Sequence, residues 1–318
     1  MVAFVIRRLF GMAIVLIAVS FIVYIIFFKI PGGDPAQRIA GRTATHANIV
    51  AIHDRLGLDR PFYVQWYKMI EQLVSGNLIS YTDQLSVSDQ IWQGMPVTFS
   101  LSIGAAVIWL FFGIMVGVMS AVTAGRLSDR AITVFALIGI SIPVFWLGIM
   151  LRYFLAEQRS LFPDGGYVPL TTNPAQWVYH LILPWFTLAV LSIGFYGRVL
   201  RSNILDSINE DFVRTARAKG QSPRGVLWGH VLRNAMVPVL TVMGLQFANL
   251  LTGTVVIEQV FSLPGLGRLV FQAIANRDLP VVRNIVMLLA AMVVVINFIV
   301  DVLYVVIDPR LRARGRTT

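Results

Sequence analysis

The chain has 318 residues, of which 57% are hydrophobic and only 13% charged, and it carries a net charge of +10. A soluble domain carries about 25% charged residues, so several apolar runs near 20 residues long point to an integral membrane protein built as one membrane domain. The arginine excess reads as a set of topology signals and not as a nucleic-acid surface. The lack of cysteine excludes disulfides, cysteine-ligated zinc and iron–sulfur clusters.

In chain order, Arg7-Arg8 precede an apolar run from Leu9 to Phe28. A secretory signal has a shorter apolar core and a small-residue cleavage site. The run is therefore expected to be a retained first span with a cytoplasmic N-terminus, over residues 1–30. Pro31 to Pro35 should break the helix. Residues 31–96 then form an extracytoplasmic helical cap region. Within it Phe62, Trp66, Met69, Ile70 and Leu73 recur at helical spacing, which predicts an amphipathic helix over Pro61 to Val74. Ser88 is expected to cap a short helix ending at Trp92, before Gly94-Met95-Pro96. This region either docks a partner outside the cell or packs on the spans as an interfacial helix. The residues leave both open.

Residues 97–307 hold the remaining spans: Val97 to Ala124, Ala131 to Leu155 bent at Pro143, Leu181 to Val199, Val237 to Ile257, and Val281 to Ile307. Gly113 and Gly117, four apart, permit close helix contact. A proline inside a span frees a carbonyl and bends the helix. A basic tail, residues 308–318, closes the chain. Arg7, Arg8, Arg126, Arg130, Arg198, Arg201, Arg214, Arg217, Lys219, Arg224, Arg233 and four tail arginines fall on one side, fifteen of twenty-six basic residues. The short-loop bias of lysine and arginine therefore predicts six spans with both termini inside.

Between the fourth and fifth spans, residues 202–236 are too polar to cross a bilayer. Phe212 to Lys219 reads as a short helix, Gly220 as its C-cap residue, Ser222 as the next N-cap and Pro223 as the first residue of a second helix. A loop that merely fixes topology explains the charge. It does not explain small residues at Ala216, Ala218 and Gly220.

Arg214-Thr215-Ala216-Arg217-Ala218-Lys219-Gly220, followed by His230 to Ala235 and Pro238, resembles the ATPase-coupling loop of ABC importer permeases. In particular it resembles the first of the two permeases in dipeptide, oligopeptide and nickel importers. Against the general family pattern of Glu-Ala-Ala, three residues, Gly, the chain has Arg214, Thr215 and Ala216 before Gly220. Gly57-Leu58-Asp59, Phe261 to Arg268 and Asp308-Pro309-Arg310 extend the resemblance over nearly the whole chain. It implies an all-α permease in a bacterial cytoplasmic membrane, paired with a second homologous permease. It also implies two cytoplasmic ATPases that bind ATP and magnesium, and an extracytoplasmic solute-binding protein. Peptides are the family's commonest cargo, and nickel chelates, glutathione and haem fall within similar systems.

No phosphate-binding loop occurs in the chain itself, and neither does a Gly-x-Ser-x-Gly turn or a His-Glu-x-x-His pair. No cofactor, metal or catalytic residue is therefore expected here. Gln246, Asn249 and Gly253 share one face of the fifth span and are candidate pathway residues, with helix–helix bonding as the alternative. Asn297, Asp301, Tyr304 and Asp308 line a face of the sixth. Asp301 favours a structural ion pair over a proton relay. An ion-driven secondary transporter is the rival class, and would need an ion site and usually an inverted repeat.

Overall fold

A computed structural model describes residues 2–29, 36–37, 45–76, 78–80 and 82–307. Among these the chain is helical, and the one β-type pairing is an isolated bridge between Ile79 and Ser86. The helices are α1 (Val2–Tyr24), which runs on in a π-helical turn to Lys29, α2 (His46–Leu56), α3 (Phe62–Ser75) and α4 (Val87–Val122). Next come α5 (Leu127–Ser141), α6 (Val144–Leu151) and α7 (Pro174–Ile208). Then follow α8 (Asp211–Ala218), α9 (Pro223–Val226), α10 (Leu232–Val260), α11 (Leu266–Ala275) and α12 (Leu279–Ile307).

Four of these are long and apolar enough to cross a membrane: Val5–Lys29, Val87–Val122, Pro174–Ile208 and Leu279–Val302. The expected third span is not continuous. It breaks between α5 and α6, which meet at 98°, and makes a fifth crossing if the bent pair counts as one. Proline disfavours the helical region for the residue before it. Here Ile142 (ψ 126°) and Pro143 (ψ 131°) are both extended, so two consecutive residues turn the chain where the sequence suggested a kink. Helix α10, where the sequence places the fifth span, has 29 residues. Pro31 to Pro35 and the tail 308–318 lie outside the described residues.

The chain divides into two compact units. In the unit formed by Val2–Thr98 and Pro264–Val295, α3 packs on α1 as an amphipathic helix. Tyr24, Phe28 and Met69 are its buried centre, with Leu58, Trp66, Ile70 and Leu73 around them. Polar groups on this face are paired: Tyr24 Oη donates to Gln65 Oε1 (2.8 Å), Gln65 Nε2 donates to the carbonyls of Leu58 and Arg60, and Trp66 Nε1 donates to Ser20 Oγ (3.1 Å). Phe62, expected on the apolar face, is 55% exposed.

Ser88 is not an N-cap. Ser86 Oγ accepts the Asp89 N–H, and Ser88 Oγ donates to the Gly76 carbonyl (2.9 Å). Nor does Gly94-Met95-Pro96 end a helix, because α4 runs through it. The neighbours explain this. A Cβ at Gly94 would lie 3.2–3.3 Å from Gly265 and Leu266, and Leu266 N–H donates to Thr98 Oγ1 (2.9 Å). The apparent breaker is a seat for the turn that precedes α11.

The second unit comprises Phe99–Leu263 and the end of α12 from Ile296. In it α7 is the central helix, packed against α5, α6 and α10. Gly113 and Gly117 do mark a close contact: a Cβ built on them would lie 3.0 Å from Tyr196 Cβ and 2.9 Å from Leu200 Cβ. Trp185 Nε1 donates to the Ser100 carbonyl (2.9 Å), and Arg152 Nη1 donates to the Val260 carbonyl (2.6 Å) at the end of α10.

Candidate coupling segment and transport path

Helix α7 ends at Ile208, and the short helix α8 begins three residues later. Its closure follows from local chemistry. Gln221 N–H donates to the Ala216 carbonyl and Gly220 N–H to the Arg217 carbonyl, the paired 6→1 and 5→2 bonds of a Schellman cap. That cap needs a left-handed residue, and Gly220 supplies it at φ +78°. Ser222 Oγ then accepts the Gly225 N–H and Pro223 starts α9, so the turn resets the chain within four residues. Across it His230 Nε2 lies 2.9 Å from Gln221 Oε1.

Helix α8 has two faces. Val213 and Ala216 are buried, together with Val226 and Val231 of the following segment. Arg214, Thr215, Arg217, Ala218, Lys219 and Gly220 are exposed. Six of the seven expected coupling residues therefore share an accessible surface. Ala216 faces inward, so its small size serves packing inside the segment and not entry into a partner's groove. Phe212 and Trp228 add exposed aromatic area, at 38% and 60%. Arg214 lies 3.6 Å from Asp211, both largely in solvent, an arrangement that adds little stability. Arg217 and Lys219 point outward beyond it.

The segment hangs from a stiff root, which sequence reasoning missed. Arg201, near the C-terminal end of α7, holds Asp129 of α5 through both carboxylate oxygens, at 2.9 and 2.8 Å. Ser120 Oγ and the Gly125 N–H donate to the same carboxylate. The four groups lie on three helices and the turn between two of them, up to 81 residues apart in sequence. Only the alternation of charge at Arg126, Asp129 and Arg130 hinted that one carboxylate there was special.

On α10, Asn249 Nδ2 donates to Gln246 Oε1 (3.1 Å), so two of the three pathway candidates form one amide pair. Asn249 is exposed and Gln246 half-buried. Gly253 is in helix contact: a Cβ there would stand 3.2 Å from Leu188 Cδ2 on α7. Asp301 is half-buried, whereas the Tyr304 side chain and Asp308 lie outside the described residues. No group of three or more metal-binding side chains occurs among the described residues.

Helices long and apolar enough to cross a membrane, together with a capped and exposed basic turn, characterise an integral membrane subunit. The chain belongs to the family of binding-protein-dependent transport system inner membrane components. The family model covers residues 113–313, and its N-terminal companion covers residues 1–102.

Similar proteins include a Sinorhizobium fredii permease named as a probable peptide ABC transporter component, 40% identical over 97% of this chain and 99% of that one. A dipeptide transport system permease of Alkalihalophilus pseudofirmus is 34% identical over 98% and 100%. A glutathione transport system permease of Escherichia coli is 39% identical over 98% and 99%. Among solved structures, inward-facing forms of the MetNI methionine ABC transporter match with TM-scores of 0.52 and 0.55 at 19% identity. They cover 76% and 69% of this chain, and 98% and 96% of the matched chains. That likeness concerns the fold alone.

Proposed function

We propose that the chain is one half of the membrane pathway of an ATP-driven peptide importer, paired with a second, similar permease. Two cytoplasmic ATPases would seat on Arg214 to Gly220, and an extracytoplasmic solute-binding protein would deliver cargo. The permease has six spans with both termini inside, α10 supplying the fifth and the broken α5–α6 pair the third. The observation that carries this reading is the accessible, Schellman-capped basic turn rooted on α7. Movement of the ATPases would reach the bundle through that turn. ATP would then shift the balance between two bundle states by binding one of them better.

Peptide relatives favour short peptides as cargo, and a glutathione relative of similar identity makes a γ-linked peptide the second reading. The test is uptake into proteoliposomes holding the whole complex with binding protein enclosed or added, using labelled dipeptide and labelled glutathione. ATP-dependent uptake of dipeptide supports the first reading, and preference for glutathione supports the second. Uptake driven by an ion gradient without ATP would overturn both and restore a secondary transporter.

A further inference from the structure

Among the described residues, two neighbouring ring donors on α4 and α7 are buried with no acceptor, besides separate cases at Gln90, Trp177 and Asn203 on the same helices. Trp109 of α4 is 0% exposed and Tyr196 of α7 is 1% exposed. Their rings lie 4.2 Å apart between centroids, and Trp109 meets Phe247 of α10 edge-on at 5.9 Å. Neither Trp109 Nε1 nor Tyr196 Oη has a hydrogen-bond partner among the described residues. Burying such a group unpaired is costly, and buried tryptophan and tyrosine normally find partners. A transporter with two bundle states tolerates the cost in one state when the other state satisfies the groups.

The surroundings suit such a change. Trp109, Gly113 and Gly117 form one stripe of α4 at four-residue spacing, and the two glycines lie against Tyr196 and Leu200. Val116 of α4 packs over Gly197 of α7 beside the glycines, and the Trp185–Ser100 bond and the Asp129 carboxylate shared by Ser120 and Arg201 tie the two helices on either side, so an opening is confined to the Trp109–Tyr196 stretch between them. Phe247, which touches Trp109, is next to Gln246 and two residues from Asn249. The unpaired donors therefore sit at the same level of the bundle as the amide pair on α10.

We infer that Trp109 and Tyr196 are a cargo-binding station, closed in this conformation, which donates hydrogen bonds to carbonyl or carboxylate oxygens of the transported molecule when the α4–α7 seam opens. The inference rests on the transport reading above and adds to it the residues that hold the cargo.

The experiment uses the complete complex in proteoliposomes and exploits the cysteine-free chain. Tyr196→Cys and Asn249→Cys are exposed separately to a membrane-impermeant thiol reagent, with and without ATP and vanadate. Tyr196→Cys should react in only one of the two states. If Asn249→Cys reacts and Tyr196→Cys reacts in neither state, or equally in both, the station is wrong and the path on α10 stands. If neither position reacts, the path itself fails and the station with it. Tyr196→Phe keeps the ring packing and guards against misfolding of the cysteine variant. It should raise the apparent KM for labelled dipeptide about 2- to 10-fold, the worth of one lost hydrogen bond. Unchanged KM with raised thermal stability would show a donor with a purely structural burial cost and would overturn the proposal.

Discussion

Arg201 grips Asp129 with two parallel N–H···O bonds, at 2.9 and 2.8 Å, across 72 residues of sequence. The fork-to-carboxylate geometry is directional, so it fixes orientation as well as distance. It ties the start of α5 to the helix from which the candidate coupling segment hangs. The two partners are unequally buried, with side-chain exposures of 31% for Arg201 and 6% for Asp129. Removing Arg201 strands a buried carboxylate, whereas removing the charge of Asp129 leaves an arginine able to reach water. Arg201→Met should therefore lower the yield of assembled, heat-resistant complex more than Asp129→Asn does. Size-exclusion profiles after a heating series check this, and equal losses would count against the pair as the root of the segment.

Gly220 separates backbone strain from crowding. Nothing lies within 4 Å of a Cβ placed there, while φ is +78°. A left-handed conformation costs an ordinary L-residue about 1–2 kcal/mol, and asparagine tolerates it better. The expected order of coupling is glycine, then Gly220→Asn, Gly220→Ala and Gly220→Val, with the valine variant losing ATPase co-purification or hydrolysing ATP without transport. Normal complex yield and coupling in Gly220→Val would refute the coupling assignment.

Gly253 and the amide pair respond differently. Leucine at 253 must displace Leu188, and overpacking of this kind costs about 1–3 kcal/mol. Gly253→Leu should thus reduce assembly, and Leu188→Ala should restore it. Gln246→Leu with Asn249→Leu should leave assembly intact and alter transport rate or cargo preference. Intact rate and preference in that double variant would remove α10 from the path.

Topology is testable with single cysteines at Thr45, Thr172 and Thr318. Thr172 is chosen over the adjacent Asn173 because Asn173 Oδ1 caps α7, accepting from Ala175 N and Gln176 N at 3.1 Å. In intact cells an impermeant thiol reagent should label Thr45→Cys and Thr172→Cys but not Thr318→Cys. Labelling of Thr318→Cys from outside would contradict a cytoplasmic C-terminus.

Sequence by itself determined the features whose causes are local. Apolar length made α1, α4, α7 and α12 legible as spans, because lipid demands it of any crossing helix. The cap at Gly220 and the restart at Ser222-Pro223 were legible because a helix end is satisfied by its own neighbours. The amphipathic α3 was legible from its period. Only tertiary structure decided the rest. Ser88 looked like a cap, but Ser86 does that work while Ser88 bonds to Gly76. Gly94 to Pro96 looked like a break, yet α4 continues because the Gly265–Leu266 turn lies against it. Pro143 suggested a bend, and the 98° break between α5 and α6 also needed Ile142 extended before it. Ala216 looked like part of a docking face, and the packing of α8 on its own segment turned it inward. The Asp129–Arg201 grip and the Trp109–Tyr196 contact join residues 72 and 87 positions apart. No periodicity or motif encodes such pairings, because they depend on which helix faces meet.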